Sequence, residues 1–406
     1  MASTNTLQQL IRNYPIAAIT ANTYSQRVLH QLSICKTSEL GYHLMQCDNG
    51  ECNNIRYLYH GCRNRHCPHC GFMKKEEWID ARLNELMPVP YYHLVFTVPH
   101  HLNSIFLGNR KKMYNLLFES VHYVINKFSS DKKFMGAKCG IISVLHTWGQ
   151  QLSFHPHIHS IVSGGGIDYS GNWITKSRSS NSYYLFPAKA IQLVFRGYFI
   201  DRLSELIHMK EVVLPTGYNW QRTKSIIHTK QWIVHAKKPF GGPSQVVEYL
   251  GRYTHKVAIS NQRIINIDEQ NNVTFSYKDY SDGDKQKMMT LTGDEFLRRY
   301  EQHILPKGFT KIRHAGYLSN AGRTKRIKQL KAQENIPYQH PIKLPVELRI
   351  LERFGKDIRV CPHCNTGRWI TLASTEGQEG KGLQILDIKV RSPDEIKALI
   401  LAHDLC

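Results

Sequence analysis

The chain has 406 residues, 53 Lys and Arg against 32 Asp and Glu, and a formal net charge of +21. That length accommodates two or three domains with proper cores, and the positive excess goes beyond what solubility requires, so a polyanion is the expected partner. Nucleic acid is favoured over a membrane surface, because no run approaches the roughly 20 apolar residues of a spanning helix. The N-terminus also lacks the charged-then-apolar order of a signal peptide, which predicts a cytoplasmic, nucleoid-associated protein.

From Thr6 to Leu32 the apolar spacing of Leu7, Leu10, Ile11, Val28, Leu29 and Leu32 predicts helix. Six of the ten cysteines follow between Cys35 and Cys70, in paired spacings that suit metal in a reducing compartment. Cys47-x4-Cys52 and Cys67-x2-Cys70 are two tight turns joined by a short connection, the arrangement of a tetrahedral structural zinc site. Cys47, Cys52, Cys67 and Cys70 are the expected ligands, with Cys62 as a substitute. Cys35, Cys62, His66 and His69 remain as spares for a second site. Arg63, Arg65, Lys74 and Lys75 around these turns suggest contact with phosphate.

Tyr91–Val98 reads as a strand ended by Pro99, and a second domain is expected to begin near it. Phe106–Lys127 reads as helix and Gly140–His146 as strand. Then comes Phe154-His155-Pro156-His157-Ile158-His159-Ser160-Ile161-Val162, an apolar run with histidines on alternating residues. In a strand, His155, His157 and His159 share one face, a half-shell of imidazoles suited to a divalent ion. A hairpin between the two strands brings His146 beside His157 and His159 as third ligand. His155, Gln150 and Gln151 compete for that place.

Ala188–Ile207 is predicted helical and Thr229–Ala236 a strand. After the break at Lys237–Pro243, Ser244 caps a helix over Gln245–Val257. Tyr249 and Tyr253 lie one turn apart on it, with Arg252, His255 and Lys256 alongside. Tyrosines at this spacing are ordinarily core, but the helix is too polar to be merely buried. A histidine-held metal with a nearby tyrosine is the kit for nicking DNA: the metal withdraws charge from the scissile phosphate while the tyrosine attacks phosphorus and displaces a 3′ oxygen.

Over nearly its whole length the chain resembles the two-tyrosine HUH transposases of the insertion sequence 91 type. The histidine-hydrophobe-histidine signature stands as His157-Ile158-His159, and the paired tyrosines as Tyr249-Leu250-Gly251-Arg252-Tyr253. The zinc module looks like Cys62–Cys70, and a downstream block like Glu295–Arg299 with Leu305–Phe309. The resemblance implies a HUH-endonuclease-like enzyme that moves one DNA strand by rolling-circle-like transposition through a 5′-phosphotyrosine link, at hairpin-bearing element ends. Cys47-x4-Cys52 departs from the expected two-residue spacing. A replication initiator or relaxase would share the chemistry; a non-catalytic zinc-dependent regulator would leave the histidines and tyrosines unexplained.

Further on, Asn272–Tyr280 reads as strand and Gly293–His303 as a helix with Arg298 and Arg299. Lys307, Lys311 and Arg313 open a basic stretch in which Phe309, His314 and Tyr317 are interleaved, read as a single-strand track with cations on phosphates and aromatics on bases. Cys361-Pro362-His363-Cys364 is a lone knuckle, to be completed by His403 and Cys406 or by Cys35 and Cys62. The expected architecture is α+β: a zinc-binding domain at 1–88, a catalytic domain at 89–265 with a central antiparallel sheet and flanking helices, and a basic DNA-binding region at 266–406. Zn²⁺ is expected in the structural site and Mg²⁺ or Mn²⁺ in the catalytic one, because a weakly held, open-sided ion suits phosphoryl transfer.

Overall fold

The structure is a computed structural model that describes residues 6–175, 185–237, 245, 246, 249, 251, 254, 256–340, 344–377, 382–386 and 392–404. These residues form helices and antiparallel sheets in the expected α+β class. The largest sheet orders its strands Ile312–Ala315, Lys138–Trp148, Phe154–Ile167, Tyr91–Thr97 and Val234–Lys237, with Trp173–Thr175 paired to the end of Phe154–Ile167. Its two longest strands are the expected hairpin, closed by a turn in which Leu152 adopts a left-handed φ of 56°.

Alternation along these strands separates two environments. Leu94, Phe96, Leu145, Ile158 and Val162 face the helices Arg110–Ser130 and Ala188–His208, where they meet Leu117, Val121, Phe195 and Phe199 in the main core. Each such burial contributes about 1.5–3 kcal/mol, which fixes the register and so fixes what the opposite face presents. On that opposite face Tyr91, Ile142 and Ile161 are covered by Ile79, Met87, Val246 and Tyr317. The histidines occupy the other end of the same face.

The remaining elements depart from the expected chain-order division. Thr6–Leu32 is not one helix but Leu7–Arg12, Ile16–Ile19 and Thr23–Ser33, interrupted at Pro15 and restarted where the Asn22 side chain accepts from the Ser25 N–H at 3.0 Å. These helices pack on Phe275 and Phe296, far along the chain. Tyr42–Cys47 lies between Ile55–Tyr59 and Trp369–Ser374, so the first 88 residues share a sheet with the C-terminal part. Ile312–Ala315, from beyond residue 265, completes an edge of the central sheet. Sheet pairing thus joins segments on either side of residues 88 and 265.

Two local differences have local causes. The strand expected over Thr229–Ala236 shortens to Val234–Lys237, because the Asn219 side chain caps a helix, Trp220–Thr229, that occupies its start. Gln245, Val246, Tyr249, Gly251 and Thr254 are helical, whereas Lys256 and Val257 already lie outside helix.

Candidate metal centre and tyrosine helix

The hairpin register sets His146 opposite His157 and Val144 opposite His159, which puts three imidazoles on one face. One ring nitrogen from each of His146, His157 and His159 falls within a group whose atoms all lie within 4.8 Å of one another. His146 and His159 are buried, 3% and 8% exposed, and His157 is half-buried at the mouth. Burial first, and then the neighbouring His155, push the His157 imidazole down to about 3. His159 is also held well below the ordinary histidine range, first by burial and then by His146. Both rings are therefore neutral at pH 7, the form that binds metal. The His157 Nδ1–H donates to the His155 carbonyl at 2.6 Å, leaving Nε2 to face the centre. Three nitrogens with an open fourth side fit a divalent ion that must also take substrate oxygen.

The competitors for the third position stand outside the triad. His155 sits with its ring centroid 5.0 Å from that of His157 but is not among the three grouped histidines. The Gln150 side-chain amide donates to the Tyr280 hydroxyl at 3.0 Å, and the main-chain carbonyl of Gln151 accepts from Arg299 at 3.1 Å.

Above the triad opens a cleft of about 600 Å³ whose walls include His93, Tyr249, Lys256 and Arg263. Tyr249 reaches it because its helix is seated from two sides: Val246 is buried against Ile142 and Ile161 of the sheet, and Gly251 meets Ile79 so closely that any side chain there would collide. The Tyr249 hydroxyl is 3.5 Å from His93 Nδ1, and His93 Nε2 is 3.0 Å from His159 Nδ1. A line of three side chains thus joins the phenol to the metal face. Tyr253 and Arg252 lie outside the described residues.

His93 is the residue the sequence reading passed over. Its signal was available: within Tyr91–Thr97 it alternates in phase with Val95, which pairs with His159. The stacking of Trp148 on His146, with centroids 4.7 Å apart and planes 18° apart, gave no comparable cue.

The expected zinc tetrad of Cys47, Cys52, Cys67 and Cys70 does not form. Cys67 and Cys70 gather with Cys35 and Cys62, while Cys47 and Cys52 gather with Cys361 and Cys364. In the first group the sulfurs of Cys35 and Cys70 are 3.5 Å apart, Cys35 and Cys67 3.4 Å, and Cys62 and Cys70 3.9 Å. Four sulfurs at 2.3 Å from a tetrahedral zinc ion stand about 3.8 Å apart, so the set fits that ion and is too open for disulfides. The Cys62 N–H also points at the Cys35 sulfur, at 3.4 Å, as a thiolate acceptor would attract it. His66 and His69 are outside both groups; His69 Nε2 meets Asn261 at 2.9 Å. For Cys361 and Cys364 the expected partners Cys35 and Cys62 are taken, and Cys406 and the His403 side chain lie outside the described residues.

The cations expected on DNA divide into two kinds. Lys307 and Arg63 are exposed, and Lys256 lines the cleft. Burial pushes the Lys311 amine down to about 7, where it donates to the Lys256 carbonyl at 2.9 Å beside Trp148. The others contact groups of the chain itself: exposed Arg298 and half-buried Arg299 both pair with Glu295 at 2.7 Å, exposed Arg65 donates to the Phe309 and Pro306 carbonyls, and Arg313 lies 4.2 Å over the Phe118 ring. The interleaved aromatics are not a stacking platform, since Phe309 and Tyr317 are 4% and 1% exposed. Apolar periodicity in this basic stretch marked core rather than bases.

Residues 140–326 match the family described as "Putative transposase", and residues 6–98 match the "Transposase zinc-binding domain". The first match takes in the histidine hairpin and Tyr249, the second six of the cysteines. Fold, site and matches together define the class: a transposase, an enzyme that cuts DNA, with a zinc-binding domain at its N-terminal end. Over 371 residues, 88% of this chain and 92% of the relative, it is 36% identical to "Putative transposase y4qJ" of Sinorhizobium fredii. Over 291 residues, 70% of this chain and 68% of the relative, it is 32% identical to the "Transposase for insertion sequence element IS801" of Pseudomonas savastanoi pv. phaseolicola. The chain belongs to the two-tyrosine transposase family of the insertion sequence 91 type. No solved structure matches it. Among the described residues no helix is long and apolar enough to cross a membrane.

Proposed function

We propose that this transposase nicks and rejoins single-stranded DNA at hairpin-bearing element ends through a 5′-phosphotyrosine intermediate, in rolling-circle-like transposition. The observation that supports this most directly is the line from the Tyr249 hydroxyl through His93 to His159, which sets a nucleophile beside a metal-type triad in one cleft. His146, His157 and His159 would hold a divalent ion, Mg²⁺ or Mn²⁺ in use, which would supply charge withdrawal from the scissile phosphate. The Tyr249 oxygen forms a bond to phosphorus as the bond from phosphorus to the 3′ oxygen breaks; the phenolic proton passes to solvent in the open cleft, and the released 3′ oxygen takes up a proton from solvent.

His93 positions both ends of this arrangement. If His159 presents Nε2 to the triad, its Nδ1–H donates to His93 Nε2 at 3.0 Å, and the proton of a neutral His93 then resides on Nδ1, facing the Tyr249 oxygen. A hydrogen bond from that side favours the phenolate that attacks. Lys256 at the cleft wall, with Arg63 and Lys307 on exposed ground, offers phosphate contacts. Tyr253, four residues beyond Tyr249 in the sequence, holds the second strand end in this reading. The catalytic unit in this reading is the central sheet with its Ile312–Ala315 edge, and the Cys35, Cys62, Cys67 and Cys70 zinc site anchors the module behind it.

The test is incubation of the purified chain with single-stranded element-end DNA and Mg²⁺. A protein–DNA adduct that survives SDS is expected, and its absence with Mg²⁺ or Mn²⁺ would overturn the reading.

A further inference from the structure

Cys361 and Cys364 lie outside both matched segments, in a turn some 300 residues from the cysteines they meet. The Cys364 sulfur is 3.6 Å from that of Cys47, and the Cys361 sulfur 3.9 Å from that of Cys52. All four lie within 4.8 Å of one another. These separations match the roughly 3.8 Å edge of a tetrahedron of thiolates around zinc and are nearly twice a disulfide bond. The surroundings are shaped to sulfur. The Gly367 N–H donates to the Cys364 sulfur at 3.2 Å, and a side chain at Gly367 would collide with the Cys47 sulfur. The two turns are laced by Asp48, whose carboxylate accepts from the Arg368 N–H at 2.6 Å and whose own N–H donates to the Arg368 carbonyl at 2.9 Å. Cys47 and Cys361 are fully buried, yet neither belongs to the adjacent apolar cluster of Tyr42, Leu44, Leu372 and Ile396. Burial of small hydrophobes does not account for them.

We propose that Cys47, Cys52, Cys361 and Cys364 bind a second structural zinc ion, which clasps the C-terminal arm of the chain onto the N-terminal zinc-binding module. The clasp closes the strand pairing of Trp369–Ser374 with Tyr42–Cys47. It also retains the helix Val346–Phe354, whose Arg349 and Arg353 pair with Asp80 at 3.1 Å and Glu76 at 2.6 Å on the helix that supports Gly251.

Thiol protection in the full-length zinc-loaded protein tests this without any substitution. Cys47, Cys52, Cys361 and Cys364 should resist N-ethylmaleimide and become labelled together once a chelator removes zinc, with trypsin then cutting the chain beyond residue 340. In parallel, the double variant Cys361→Ser/Cys364→Ser should hold one zinc fewer than the natural chain while Cys35, Cys62, Cys67 and Cys70 stay protected. Free labelling of Cys361 and Cys364 in the zinc-loaded natural chain would overturn the proposal, as would an unchanged zinc content in a folded double variant. Iron instead of zinc in the protected protein would overturn the choice of metal. If the double variant does not fold, labelling of the natural chain decides alone.

Discussion

The histidine triad and the two cysteine groups are alike in burial and in donor spacing, yet they are assembled in opposite ways. The triad comes from one hairpin, within 14 residues, and is open on the side of the cleft. Each cysteine group closes four sulfurs around a point and joins segments distant in sequence, as far as Cys47 and Cys364. Open three-nitrogen geometry leaves a position for substrate oxygen, whereas closed four-sulfur geometry leaves none. The difference is the one that separates metal centres able to take a substrate from centres that only hold a chain together.

The sharpest way to break that comparison is to remove a histidine ligand. His157→Ala or His159→Ala should cost several kcal/mol of transition-state stabilisation, at least about a hundredfold in cleavage rate. DNA affinity, measured by anisotropy at fixed salt, should change little, because it rests on distributed phosphate contacts. Normal cleavage by both variants would place the chemistry elsewhere.

A smaller effect is expected at His93. His93→Gln should weaken binding of Mn²⁺ roughly 10- to 100-fold and slow adduct formation, with fold and DNA affinity retained, because it removes the group that orients His159 without removing a ligand. Unchanged Mn²⁺ affinity would reduce His93 to a wall of the cleft.

A last test, on stability instead of activity, concerns the packing beneath the histidine hairpin. His303 is 3% exposed and spans Thr147 and the Leu152 carbonyl under the histidine hairpin, and burial holds its imidazole at about 4. In the unfolded chain it titrates near 6.5, so the unfolded state binds more protons between those values. The stability contributed by neutral His303 is full above about pH 6.5 and falls by about 3 kcal/mol as pH drops to about 4. Urea unfolding at pH 7.5, 6 and 5 should show this decline, and His303→Gln should make it shallower. An equal slope in both proteins would assign the acid sensitivity to other groups.

What the sequence made legible follows the same divide. The histidine face could be read because a strand has a period of two and a hairpin a short reach; both rules act within 14 residues and need nothing else to be known. His93 escaped because its place beside His159 depends on a strand 60 residues away finding its register, although its phase within Tyr91–Thr97 was visible. The cysteines were legible as metal ligands but not as sets. Nothing local distinguishes a Cys67 that meets Cys35 from one that meets Cys52, and the sheet pairing that brings Cys361 to Cys52 spans the whole chain. Phe309 and Tyr317 escaped for a related reason: a basic stretch with aromatics looks the same whether the rings meet bases or fill a core.

Strand transfer between two ends depends most directly on the tyrosines. The Tyr249 helix is seated by two packing contacts beside the triad, and a half-buried phenol kept only for packing would tolerate loss of its hydroxyl. Tyr249→Phe, Tyr253→Phe and the double variant should be incubated with two cleavable single-stranded element ends and Mg²⁺, scoring covalent capture and strand transfer on one gel. The account predicts that each single variant still captures one oligonucleotide but fails to transfer between ends, and that the double variant forms no adduct. Full strand transfer by the double variant would contradict it.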